Sequence, residues 1–176
     1  MNETKNAPEF QQSINVINNY ETALSLLDDY DHRRMSRPTG HDTTYILTYE
    51  ECRRLIDTMR FNGESDLFGH EKDDSFKGSI GDIYQTFAGK DVYHSAEEKA
   101  ANLLYFVTKN HSFNDGNKRI AAALFLYFLD RNGILYDEYG RKRMADYTLV
   151  ALTIMIAESR MEENEMMVSV VMNCIR

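Results

Sequence analysis

The chain has no tryptophan, two prolines, two cysteines and nine glycines in 176 residues, and each shortage excludes something. So little proline and glycine leaves too few turns for a β-sandwich or barrel and favours a helical chain. Cys52 and Cys174 stand far apart, with no CxxC pair and no cysteine–histidine cluster. Neither a disulfide scaffold nor a zinc site is expected, and both thiols read as small buried residues of a reduced, cytoplasmic protein. No segment approaches the roughly 20 apolar residues that cross a bilayer, and the polar N-terminus lacks a signal-peptide core, so no membrane partner is expected. Basic charge is also scarce: 20 Lys and Arg stand against 28 Asp and Glu, a formal charge of −8. Nucleic-acid binding relies on a basic footprint, so none is expected of this domain. Arg33-Arg34 and Arg141-Lys142-Arg143 read as solvated surface.

What is present reads as one helical unit. Residues 1–12 are polar, carry Pro8, show no period and read as a loose tail; residues 13–176 read as a single domain with its core over about 45–176. Ile14, Ile17, Tyr20, Leu24 and Leu27 share one face of a helix ending near Tyr30. Asp31 to Thr44 reads as a long surface connection, or as a hinge to something outside this chain. Thr48 with Glu51, and Ser95 with Glu98, have capping-box spacing. The first predicts a helix stopping at Asn62-Gly63, and the second a helix through Val107. Between them Asp74 or Ser75 opens a helix with Ile80, Ile83, Tyr84 and Phe87 on one side, ending at Gly89. Arg119 to Leu129 is apolar on nearly every face and reads as the buried centre of an all-α fold, closed at Asn132-Gly133. Leu135 to Arg143 is a short hairpin or a loop. Two helices, marked by Met144 to Ile156 and by Met167 to Cys174, finish the chain.

The chemistry concentrates in His111-Ser112-Phe113-Asn114-Asp115-Gly116-Asn117-Lys118-Arg119, between two expected helices. The start of a helix leaves N–H groups without partners and is mildly positive. Gly116-Asn117 therefore offers an anion site, with Lys118 and Arg119 adding full charges. Asp115 stands where it could hold Mg²⁺ bridging phosphate oxygens. His111 can take a proton from a hydroxyl near neutral pH. Phe113 is expected to point inward and pin the loop to the core. Each residue alone has a plainer alternative: a C-terminal cap, an N-cap, solvated cations. Lys and Arg oppose the dipole at a helix start, and that conflict makes sense if an anion occupies the site.

This stretch resembles the core motif of the Fic/death-on-curing (Fic/Doc) family, H-x-F-x-[D/E]-[G/A]-N-[G/K]-R. The likeness extends over Gly89 to Tyr93, Ser95 to Lys99, Leu103 to Asn110 and the helix running to Gly133, and covers roughly Tyr45 to the C-terminus. It is also similar to Fic-type domains of RhuM-like virulence proteins, where such a domain follows another one. The resemblance implies a helical bundle around a buried central helix, with a short flap loop or hairpin before the motif. It implies transfer of part of a nucleotide, ATP or another NTP with Mg²⁺, to a protein hydroxyl. His111 carries over as general base and Asp115 as the metal ligand. Gly116 and Asn117 become the anion hole, with Lys118 beside them and Arg119 as the phosphate clamp. The flap falls in Ser65 to Asp73, with Leu67, Phe68 and Gly69 exposed and positioning the target by main-chain pairing; an ordinary loop is the alternative.

The adenylylating branch has glycine at the position of Lys118 and a second arginine at the position of Ala122. The death-on-curing branch has the lysine and lacks that arginine, as here. The resemblance therefore implies a kinase-like transfer of the terminal phosphate to a target Ser, Thr or Tyr, an elongation factor among the candidates, with an antitoxin as a further partner. Nucleotidyl transfer (AMPylation or UMPylation) is the alternative, and an inactive interaction module the second. The family is often silenced by a helix reading [S/T]-x-x-x-E-[G/N], matched here by Ser159 to Asn164. The inhibitory glutamate pairs with the arginine that Ala122 replaces, so no autoinhibition through Glu163 is expected.

Overall fold

The computed structural model describes residues 7–59 and 65–175. Contacts divide the chain at Ser36-Arg37 into two units. The first holds α1 (Ala7–Asn18) and α2 (Glu21–Asp31). Helix α1 begins inside the stretch read as a loose tail, because Pro8 in a first turn costs no hydrogen bond. The single helix expected from Ser13 is broken at Asn19-Tyr20, where the Tyr20 N–H turns to the Ile17 carbonyl at 2.9 Å.

The second unit holds α3 (Tyr49–Thr58), α4 (Ser75–Asp82), the pair β1 (Thr86–Phe87) and β2 (Lys90–Asp91), α5 (Ala96–Asn110), α6 (Asn117–Arg131), α7 (Asp146–Glu158) and α8 (Asn164–Cys174). Among the described residues it is all-α but for that small antiparallel pair. Both capping serine/threonine hydroxyls act as predicted: Thr48 accepts from the Glu51 N–H at 3.3 Å and Ser95 from the Glu98 N–H at 3.0 Å. The stop at Asn62-Gly63 lies outside the described residues, and α3 has already ended at Thr58. Helix α4 is shorter than expected. Ala88 and Gly89 take successive positive φ values of 52° and 78°, the geometry of a tight hairpin turn, which leaves Phe87 exposed on β1 instead of packed on a helix.

The central helix is α5, not α6. It packs against α4, α6, α7 and α8, and its residues from Ala96 to Lys99-Ala100-Ala101 onward are buried around most of its circumference. Helix α6 buries one face, Ile120, Ala121, Leu124, Phe125, Phe128 and Leu129, against it. Small alanines in α5 let the neighbouring helices approach from several sides, which a purely apolar pattern does not reveal. The 135–143 segment is a loop closed by one Tyr136–Lys142 bridge.

Polar ties hold the connecting chain onto this bundle. Arg37 bonds Glu98 at 3.0 Å and Glu165 at 2.6 Å. The buried Asn132 side chain accepts from the N–H groups of Thr44 and Tyr45 at 3.0 and 3.1 Å. Tyr84 donates no packing alone: its hydroxyl accepts the Leu47 N–H at 2.7 Å, and burial pushes the phenol up to about 12. Tyr45 and Tyr127 both donate to Glu51, with the Arg131 guanidinium 4.3 Å from the Tyr45 ring centre.

Candidate active site

The loop between α5 and α6 is built by two residues with left-handed backbone. His111 ends α5 at φ 46°, ψ 48°, and Gly116 opens α6 at φ 90°. A β-carbon in that region costs roughly 1–2 kcal/mol, so His111 needs support from its neighbours. On one side, Asn110 donates to Ser79 Oγ at 2.7 Å. On the other, the fully buried Ser112 shares a hydrogen bond with Ser75 Oγ at 2.6 Å. Helix α4 thus grips the chain immediately before and after His111. From sequence Ser75 stood only as a candidate helix opener and Ser79 was not singled out, since a serine in a helix carries no signal of what it reaches.

Phe113 is fully buried and meets Phe76 edge-on, ring centres 4.7 Å apart. Asn117 turns its side chain back on the loop: its amide oxygen accepts from the Phe113 N–H at 3.0 Å while its NH₂ donates to the Phe113 carbonyl at 2.8 Å. This reciprocal pair fixes the turn and commits the Asn117 side chain to the loop.

The flap stretch lies directly on this loop. The Gly69 N–H bonds the Asp115 carbonyl at 3.1 Å, the Asn114 N–H bonds the His70 carbonyl at 2.9 Å, and the Lys72 N–H bonds the Ser112 carbonyl at 2.8 Å. Arg53 holds the Gly69 carbonyl at 2.8 Å. Of the three residues expected to be exposed, only Leu67 is, at 52%. Phe68 and Gly69 are buried. The Phe68 ring lies against Gly116, where an added β-carbon would come within 2.5 Å of Phe68 Cδ2, and under the Arg119 guanidinium, 4.7 Å from the ring centre. An apolar ring that covers a glycine and stacks under a cation has no reason to face solvent.

His111 and Asn114 to Arg119 line one open cleft of about 390 Å³. Lys118 and Arg119 stand exposed on it, and Arg119 approaches the Asp115 carboxylate at 3.9 Å. Beside it an apolar hollow of about 270 Å³ is lined by Lys118, Arg119, Ala122, Leu149, Val150, Thr153 and Ile154. No sequence signal marked that hollow, because it forms between α6 and α7 and neither helix's own pattern shows how the two pack. The described residues contain no group of three or more His, Cys, Asp and Glu that could hold a metal by themselves. Glu163, in the short turn between α7 and α8, pairs with Arg160 at 3.0 Å.

Residues 46–129 match the family model of the Fic/DOC family. That span is similar to Fic/Doc family domains, and the whole loop from His111 to Arg119 falls within it. No curated protein matches the chain. The family is one of transferases acting on proteins, some of whose members are inactive. Among the described residues no helix is long and apolar enough to cross a membrane.

Proposed function

We propose that the domain is a Mg²⁺-dependent protein kinase of the death-on-curing kind, moving the terminal phosphate of ATP to a Ser, Thr or Tyr hydroxyl of another protein. One observation carries this reading. Two exposed cations, Lys118 and Arg119, occupy the first turn of α6 and line the same cleft as His111 and Asp115. Cations are disfavoured at that helix end unless an anion offsets them, and phosphoryl groups would do so.

Asp115 fits a Mg²⁺ ligand. Its carboxylate is half-exposed on the cleft and only loosely held by Arg119, and Mg²⁺ takes one or two carboxylates with substrate phosphates completing its shell. A bound Mg²⁺ would supply charge neutralisation to the phosphates. The chain's own groups do the rest. His111 accepts the proton of the acceptor hydroxyl. Its oxygen bonds the γ-phosphorus, the bond from that phosphorus to the β,γ-bridging oxygen breaks, and ADP leaves with the electron pair. Lys118, Arg119 and the first N–H groups of α6 hold the charge on the transferred group, and the loop's bracing keeps them aligned. The apolar hollow next to Lys118 and Arg119 has room for a nucleobase. Ala122 lines that hollow, so the position of the adenylylating branch's second arginine carries no charge here.

The test is ATP labelled at the α or the γ phosphate, with an elongation factor and, separately, total cytosolic protein as acceptors. Label from the γ position in the acceptor supports the kinase. Label from the α position moves the reading to nucleotidyl transfer, and no label from either at high protein concentration leaves an interaction module. Lys118→Gly should lower γ transfer about ten- to a hundredfold, the worth of one charge-assisted contact of ~1.5–3 kcal/mol.

A further inference from the structure

Among the described residues, the first unit buries no side chain. Neither α1 nor α2 contains a buried residue, and Phe10, Val16, Ile17, Tyr20, Leu24 and Leu27 are all exposed, Phe10 and Tyr20 by about two thirds (66% and 65%). Helices of 12 and 11 residues are marginal in water unless an apolar face is covered, and a cluster of large exposed apolar side chains marks an interaction surface. A hollow of about 620 Å³ runs along it, lined by Ile17, Asn18, Glu21, Leu24, Ser25, Asp28 and Asp29. Ile17, Glu21, Leu24 and Asp28 all line it, so apolar and acidic positions alternate along one stripe.

That alternation selects the occupant. In a parallel second copy the stripe would set Glu21 on Glu21 and Asp28 on Asp28. In an antiparallel copy crossing at Leu24-Ser25 it would set Glu21 against Asp28. Like charges meeting across a helix pair are a device against pairing. An anionic lipid surface is disfavoured by the same acids. At the far end the stripe already accepts cations: Arg34 closes on Asp28 at 2.7 Å and Asp29 at 3.5 Å, and His32 lies 3.2 Å from Asp28. At the near end no cation of the described residues pairs with Glu21.

We propose that α1 and α2 dock a basic amphipathic helix of a partner protein. Its apolar side chains would lie over Ile17 and Leu24, and a Lys or Arg would reach Glu21 and the Asp28–Asp29 pair. The apolar contact supplies affinity and the acids set which helix is accepted.

The test uses the full chain and two synthetic helical peptides with the same leucine stripe, one flanked by lysines and one by glutamates. Fluorescence anisotropy should show the lysine peptide binding at least about tenfold tighter than its acidic counterpart, with affinity falling as salt rises. Leu24→Asp should abolish that binding, and Glu21→Lys with Asp28→Lys should reverse the preference between the peptides. Unchanged helical circular dichroism and thermal unfolding would show the variants folded. Equal binding of both peptides, or no effect of Leu24→Asp, overturns the proposal. So does a dimer in sedimentation that Leu24→Asp dissolves, which would make a second copy the occupant. Slow thiol labelling of Leu24→Cys in the monomer would also overturn it, by showing the face covered within the chain itself.

Discussion

Replacing Gly116 with alanine isolates what holds the motif loop. The backbone there sits at φ 90°, which costs a residue with a β-carbon about 1–2 kcal/mol. The new methyl also comes within 2.5 Å of Phe68 Cδ2, about 1 Å inside ordinary carbon contact. Phe68 has little room to retreat: Arg119 covers the ring, and the adjacent Gly69 N–H is tied to the Asp115 carbonyl. Overpacking of this kind costs roughly 1–3 kcal/mol. The total, about 2–5 kcal/mol, corresponds to a fall in Tm on the order of 10 °C for a domain of this size. Urea unfolding of wild type, Gly116→Ala, Phe68→Ala and the double variant measures it. Without the ring, Gly116→Ala should cost only the backbone share, giving a coupling of about 1–3 kcal/mol between the two positions. An equal cost in both backgrounds would refute the ring contact as the constraint, and a cost under about 0.5 kcal/mol would refute the pinned loop altogether.

His111→Asn should abolish transfer with Tm nearly unchanged, since asparagine tolerates the left-handed backbone and the histidine is exposed; single-turnover transfer at the wild-type rate would remove His111 as the base. Glu51 gives a pH signature. Burial pushes its carboxyl up, but the Tyr127 and Tyr45 hydroxyls, the Thr48 main chain and Arg131 together outweigh burial and leave it below its ordinary value of 4.5. Its folded value being the lower one, the stabilisation is complete above the unfolded value and disappears as pH falls through the folded one. Glu51→Gln should therefore be less stable than wild type by about 1 kcal/mol at pH 7, with the gap closing below about pH 4; a gap independent of pH would show that the charge contributes nothing.

The residues whose signal is local were readable in the chain. The capping hydroxyls of Thr48 and Ser95, the stop at Asn132-Gly133, and the loop from His111 to Arg119 depend on neighbours within a few positions. What could not be read depends on distant partners. Phe68 looks like a loop-tip aromatic until Gly116 and Arg119 arrive beside it from another part of the chain. Phe87 completes a plausible helical face, yet Ala88-Gly89 turns the chain first. Helix α6 is the more apolar by sequence, but α5 is central because its alanines admit four neighbouring helices.

The bracing of the motif loop also limits how an acceptor protein can be held. A strand added to the flap could not use its loop-facing edge, where the N–H groups of Gly69 and Lys72 and the carbonyls of Gly69 and His70 are bonded to the loop or to Arg53. Freeing those groups would expose the loop's own partners and unfix the turn that carries His111 and Asp115. The strand would have to use Glu71, whose main-chain groups face the other edge of its antiparallel pairing with Phe113. Side-chain contact adds to whatever that edge supplies, and Leu67 is the one apolar side chain of this segment facing solvent, at 52% exposure. Full burial of a leucine is worth about 1.5–3 kcal/mol, so covering the exposed half is worth roughly 1–1.5 kcal/mol, a five- to tenfold effect. Leu67→Asp should raise KM for the protein acceptor by about that factor or more. ATP hydrolysis without acceptor should stay unchanged, because Leu67 does not line the cleft. If hydrolysis falls in parallel, Leu67 supports the loop itself. If neither quantity moves, the acceptor is held elsewhere than at Leu67.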